Sequence, residues 1–246
     1  MIILTFNHKL MKTTTLKNIL FPVIIAIVLA VAFSLNAFAT EQNRVVKNFT
    51  KVEISGGFDV TLTQGNAEKL IVEAEDEILP KIITEVKGST LVISLEKNMS
   101  IQNKTNLKIN LTFVNLDMID LSGAVKITGT NAMKFSNLEI EGSGATEINL
   151  NLSATRLDCD MSGASKITLT GNSPEFDIDL SGASNLDAEE FKTKSCKIES
   201  SGASKARIFA TDSFEVSGSG ASSIYYAGNP ASVKSDLSGA SKLRKI

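Results

Sequence analysis

The tetrapeptide Ser-Gly-Ala-Ser returns five times in the second half of the chain, at 162–165, 181–184, 201–204, 219–222 and 238–241. Two variants precede it, Ser122-Gly123-Ala124-Val125 and Ser143-Gly144-Ala145-Thr146. The seven glycines, Gly123, Gly144, Gly163, Gly182, Gly202, Gly220 and Gly239, are spaced 21, 19, 19, 20, 18 and 19 residues apart. A repeat with a period near 19 is the signature of a solenoid. The uneven spacing places its small insertions in turns, because a one-residue slip inside a strand would turn the core face outward.

The columns around each glycine supply the secondary structure. Six residues before it stand Leu138, Leu157, Phe176, Cys196, Phe214 and Val233; four before, Ile140, Cys159, Ile178, Ile198, Val216 and Ser235. Four after it stand Ile127, Ile148, Ile167, Leu186, Ala206, Ile224 and Leu243. Apolar residues alternate with polar ones, which is strand periodicity, and no 3.6-residue spacing is present. Two short strands therefore flank each Ser-Gly-Ala-Ser. Glycine suits a bend with unusual backbone angles, and alanine suits the crowding between coils. The serine before each glycine forms an unbroken column whose hydroxyls can bond one another or the backbone of adjacent coils. A catalytic serine would need a base and would not need seven copies. The pattern predicts an all-β protein, a right-handed parallel β-helix of about seven coils of ~19 residues with two or three short strands in each. At ~4.8 Å per coil the repeats would span ~34 Å. Lys242, Arg244 and Lys245 in the last coil are expected to oppose end-to-end stacking.

This register places Cys159 and Cys196 in different columns two coils apart. A separation of ~10 Å or more exceeds the ~7 Å that a disulfide spans, so both are expected as buried free thiols. That runs against the usual expectation for two cysteines in an exported chain.

Export is suggested by the start of the sequence. Lys12 and Lys17 precede an apolar run from Ile19 to about Phe33, and Ala37-Phe38-Ala39 closes it. This is the layout of a signal peptide over residues 1–39 with Met11 as an alternative start. The competing reading is a retained membrane anchor, for which the run is short. No cysteine follows the run in the position of a lipid anchor, and no membrane span is expected in the mature chain. Removing the leader removes Lys9, Lys12 and Lys17 and the single histidine, His8, leaving 22 basic against 27 acidic residues, a net charge of −5. An acidic chain argues against a nucleic-acid partner. A mature chain without histidine excludes Ser-His-Asp and Cys-His chemistry and any His-ligated zinc site.

Residues 40–115 lack the tetrapeptide but still read as strands. Ile54-Ser-Gly-Gly-Phe58 looks like a divergent corner, and "EDEILPKIITEV" leaves room for one helical turn before Pro80. This segment reads as a β layer continuous with the solenoid, or as a small β subdomain packed on it, ahead of the repeat region over 116–246. Gly56 to Gly65 ("GGFDVTLTQG"), "GSTLVISL" at 88–95, "LKINLTF", "LSGAVKI" and the repeats after them resemble the putative auto-transporter adhesin, head GIN domain family. The likeness covers about residues 45–243. It implies a β-helical, secreted or cell-envelope protein of the kind found mostly in Bacteroidetes-type bacteria, with no established activity. The sequence holds no C-terminal stretch long enough for a translocator barrel, so self-transport is not expected.

Outward columns carry the remaining signal. Asp120, Glu141, Asp160, Asp179, Glu199, Ser217 and Asp236 stand three before the glycines; Glu139, Asp158, Asp177 and Glu215 stand five before. Asp158, Asp160, Asp177 and Asp179 would share one face of two adjacent coils. Stacked carboxylates repel, and calcium would relieve them. The alternative is a solvated acidic face, relieved by the Lys126, Lys166, Lys205 and Lys242 column on the next strand. No other cofactor and no catalytic residue is indicated. Three roles stay open: a binding or adhesion module for a surface, glycan or protein; a structural envelope protein; or a polysaccharide lyase or hydrolase using an Asp-held calcium with Arg156 or Arg207 as base. The expected reading is a non-enzymatic, adhesin-like module, periplasmic, cell-surface or secreted, of unspecified oligomeric state. If the leader is cleaved, N-terminal sequencing of the exported protein starts at Thr40; a sequence starting at Met1 or Met11 would establish retention instead.

Overall fold

The structure, a computed structural model, describes residues 40–97 and 107–246. The leader expected over residues 1–39, with His8, lies outside the described residues. Within them the chain is nineteen strands joined by pairing into one sheet system.

The N-terminal strands are β1 (Thr40–Arg44), β2 (Lys51–Gly56), β3 (Phe58–Gln64), β4 (Lys69–Ala74), β5 (Ile82–Lys87), β6 (Thr90–Leu95) and β7 (Leu107–Phe113). β2 and β3 are the arms of the divergent corner. β6 pairs parallel with β2, and β7 with β3, so they make a coil that stacks on one side of β2–β3. The chain then passes to the other side of β2–β3 to begin the repeats. Antiparallel strands close this end: β5 lies on β6, β4 on β7, and β1 on β4. The helical turn is a 3₁₀ turn over Leu79–Lys81 that includes Pro80 rather than preceding it. Proline's fixed φ suits the first turn of a helix, where its missing N–H costs no bond. Arg44 of β1 holds the turn, donating from Nη2 to the Leu79 carbonyl at 2.8 Å.

The repeats are β8 (Met118–Gly123), β9 (Lys126–Gly129), β10 (Met133–Lys134), β11 (Asn137–Gly144), β12 (Glu147–Ser153), β13 (Arg156–Met161), β14 (Lys166–Leu180), β15 (Asn185–Ser200), β16 (Lys205–Gly218), β17 (Ser223–Ala227), β18 (Ser232–Leu237) and β19 (Lys242–Lys245). All their pairings are parallel, and coil stacks on coil in the expected register. Leu138, Leu157, Phe176, Cys196, Phe214 and Val233 are successive cross-strand partners. The chain is thus a parallel β-solenoid of about seven coils of ~19 residues. The strands are longer than two short arms per coil: β14, β15 and β16 run unbroken for 15, 16 and 14 residues from one corner to the next. They bend through a third short stretch of pairing, where the register shifts between Thr168 and Gly171 and between Ala188 and Lys192. Those shifts absorb the uneven repeat length, away from the arms that flank the corner.

The inward columns are the core. Nearly every member is at most a few per cent exposed. Large and small side chains interlock between coils: a Cβ on Gly142 would collide with the Met161 side chain, and one on Gly218 with Leu237. Phe176 meets Phe191 edge-on with ring centroids 5.2 Å apart, and Phe214 meets Tyr226 at 5.3 Å. Burial weakens in the last coil, where Val233 is 42% exposed. Cys159 and Cys196 are both buried and unbridged, and burial pushes both thiols up from their ordinary range.

At the corners the seven glycines have φ between 68° and 97°. A Cβ on any of them would stand no more than 2.7 Å from the carbonyl oxygen of the corner glycine one coil back. That carbonyl accepts from the next coil's alanine N–H at 2.7–2.8 Å, so the backbone ladder continues through the bend. The two serines of each repeat divide their labour. The serine before the glycine is half-buried or exposed, and Ser143, Ser162 and Ser238 donate to carbonyls of the coil below at 3.3–3.5 Å. The serine after the alanine is the buried one. Ser165, Ser184, Ser204 and Ser222 donate to the carbonyls of Ser162, Ser181, Ser201 and Ser219 at 3.0–3.2 Å, which tightens the turn. Replacing Gly182 by Ala imposes both a positive φ and a 2.5 Å approach to Gly163 O. It should cost about 2 kcal/mol or more and lower the midpoint of a thermal melt by roughly 5 °C or more. An unchanged melt would show that the corner tolerates a side chain.

Candidate functional site

The outward residues of the arm before each corner make two registered rows. One is Asp120, Glu141, Asp160, Asp179, Glu199, Ser217 and Asp236, each the direct cross-strand neighbour of the next. Beside it runs the row of corner serines. Between the rows lies an open groove of about 350 Å³, lined by Asp160, Asp179, Glu199, Asp236 and the hydroxyl-bearing Ser181, Ser201, Ser219 and Ser238 among others. Parallel stacking puts like residues one coil apart, so the sequence period becomes a repeat of carboxylate and hydroxyl along the groove.

The four aspartates are brought together as expected, Asp158 opposite Asp177 and Asp160 opposite Asp179 on β13 and β14. They do not form one cluster. Arg156 divides them: its Nε donates to Asp158 at 3.0 and 3.1 Å, its Nη1 to Glu175 at 3.2 Å, and its Nη2 to Asp177. The hydrogen bond to Asp158 and the charges of Asp158 and Asp177 raise the guanidinium's pKa, so Arg156 is a fixed cation. Among the described residues no group of three or more His, Cys, Asp or Glu side chains is disposed to hold a metal ion. The Lys126 and Lys166 column does not relieve these rows. It lies on the arm after the corner, where both lysines take Glu147, at 3.7 and 3.6 Å. Relief comes from Arg156 and from Lys197, which pairs with Glu199 at 2.6 Å. Arg156 was legible in the sequence: two residues before Asp158 on a strand is the same face.

Asp160, Asp179 and Glu141 lie on the groove side of that clasp. Partial burial, then the neighbouring Glu199 and Asp160 charges, push the Asp179 carboxyl above the usual carboxylate range. Burial and Asp120 do the same for Glu141. Lys197 is held above the ordinary lysine value by its hydrogen bond to Glu199. Such an array of solvent-facing acceptors and hydroxyls suits hydrogen bonding to a polyhydroxylated or cationic ligand.

A family model matches residues 48–230, from the β1–β2 loop to the turn after β17, and its description is putative auto-transporter adhesin, head GIN domain. The chain belongs to that family. The head GIN domain here is similar in fold to the crystal structure of a putative adhesin from Bacteroides fragilis, with 23% identity, a TM-score of 0.78, and coverage of 86% of this chain and 98% of that one. It is also similar to a putative lipid-binding protein from Parabacteroides distasonis, at 18% identity and TM-score 0.64, covering 86% and 98%. A putative adhesin from Parabacteroides merdae gives 16% and 0.63, covering 86% and 97%. No curated protein matches the chain. No helix among the described residues of this head GIN domain is long and apolar enough to cross a membrane.

The two halves of the acidic face should respond oppositely to charge removal. Arg156→Gln leaves Asp158 and Asp177 facing each other and should lower the melting midpoint at pH 7 by about 2–4 °C. Asp179→Asn should raise it by about 1–3 °C. A raised carboxyl binds its proton more readily in the folded state, so its ionisation costs stability at neutral pH. Protonation removes that cost, and the Asp179→Asn gain should fade as the pH falls towards the unfolded carboxylate range. A gain that persists there would refute the electrostatic account.

Proposed function

We propose that the protein is an exported, non-enzymatic, adhesin-like binding module of the bacterial envelope, and that the groove beside the serine corners is its ligand-contacting face. In this reading residues 1–39 are a cleaved leader, 40–115 open the solenoid, and 116–246 form the repeat that carries the groove. The carrying observation is the registered row of carboxylates with its parallel row of serine hydroxyls, open to solvent over several coils. Carboxylate and hydroxyl acceptors recognise glycan hydroxyl groups, and a fixed repeat along a rigid scaffold suits a polymer or an extended surface. Membership of an adhesin-named family and the fold shared with adhesin-named structures support the same reading.

The lyase reading has less support at Arg156. Arg156 is engaged with three carboxylates and held protonated, so it cannot take a proton from a substrate. Arg207 stands on β16 beside Tyr225 of β17, on the arm after the corner. Calcium has no ready-made cage, because Arg156 occupies the place between Asp158 and Asp177 where a cation would be needed.

A glycan and matrix-protein array, probed with and without calcium, tests this. Specific retention that falls on Asp160→Asn together with Asp179→Asn supports the groove. Uniform silence with tight association to purified envelope would replace the binding role with a structural one. Release of unsaturated sugars from a polysaccharide panel would overturn the non-enzymatic reading.

A further inference from the structure

On the arm after the corner, the last three coils bring cations together without partners. Lys205, Ser223 and Lys242 are cross-strand neighbours on β16, β17 and β19, and so are Arg207, Tyr225 and Arg244. All six point outward, since Ala206 and Ile224 between them are buried and Leu243 packs against the core. Lys205, Arg207, Lys242 and Arg244 are exposed. Strand geometry makes a grid: about 6.6 Å between the two residues of each strand, and about 9.6 Å from β16 to β19. Four cations stand at its corners. The Tyr225 ring and the Ser223 hydroxyl occupy the middle strand, and Lys205 Nζ lies 5.8 Å from the ring centroid.

The eight ion pairs among the described residues include none of these four cations. The nearest acid in register is Asp187 on β15, opposite Arg207, and it forms no ion pair with it. Four exposed cations with no ion-pair partner concentrate a positive potential on one face of a chain of net negative charge, and such a patch attracts an anionic ligand. We propose that this grid is a second binding surface, separate from the acidic groove, for an acidic polysaccharide. The guanidinium and ammonium groups would take the carboxylates of successive sugar residues, and Tyr225 would stack on a pyranose face between them. A lipid surface fits less well. The exposed large apolar side chains among the described residues are Val45, Val114, Val233 and Ile246, and only Ile246 adjoins the grid, so little is available to enter an acyl layer.

The purified protein is titrated with polygalacturonate in low salt, with dextran as the neutral polymer and phosphatidylglycerol vesicles as the anionic surface. Binding to polygalacturonate that weakens as salt rises, with none to dextran, is expected. Arg207→Gln with Arg244→Gln should weaken it by about tenfold or more, and Tyr225→Ala by several-fold. Lys47→Gln with Lys51→Gln removes the same charge elsewhere and should leave it within about twofold. These sites are on the surface, and a thermal melt confirms that each variant is folded. Three outcomes overturn the proposal: no binding to polygalacturonate, equal losses in the grid and control pairs, or binding to vesicles with none to the polymer.

Discussion

The contact on which this molecule depends is one backbone hydrogen bond repeated at every corner, from the alanine N–H of one coil to the glycine carbonyl of the coil before. It requires the coils to approach until no Cβ fits between successive glycines. Once that approach is set, the arms on either side are in register, and each apolar residue stands over its counterpart. The core is therefore a stack of columns rather than a packing of unlike elements. Without the corner the register would be free to slip, and a slip of one residue would exchange core and surface.

The same stacking decides the electrostatics. A parallel solenoid multiplies any outward residue type into a row, so a charge that recurs with the period must meet itself at about 4.8 Å intervals. Before the corner the chain places acids in that row and tempers them unevenly. Arg156 clasps three carboxylates on one side, while Asp179 and Glu141 keep their repulsion beside the serines. After the corner the last coils place lysine and arginine in the rows instead. One fold thus presents two oppositely charged outward surfaces built from the two arms of the same repeat.

Much of this was legible in the residues. The glycine period carried the solenoid, the alternation of Leu138, Ile140 and their equivalents carried the inward face, and two-coil separation carried the unbridged cysteines. The acidic rows were legible for the same reason. Other features were not. The first serine of each repeat forms the unbroken column, yet the second is the buried one in Ser165, Ser184, Ser204 and Ser222, because burial depends on which way the chain leaves the bend. The lysine column is expected to relieve the acids, yet Lys126 and Lys166 serve Glu147, their cross-strand neighbour on the arm after the corner. The order of β6–β7, β2–β3 and β8–β9 in space was invisible, since no local pattern says that a chain will lay a later coil outside an earlier one.

The sequence by itself determined the period, the strand character and the face of each residue, because these follow from spacing and from the two-residue alternation of a strand. Tertiary structure alone decided which charged groups meet, which end is closed by antiparallel strands, and that β14, β15 and β16 run through the third stretch without a break. Those depend on distances between residues about 19 or more positions apart, and such distances exist only once the coils have stacked.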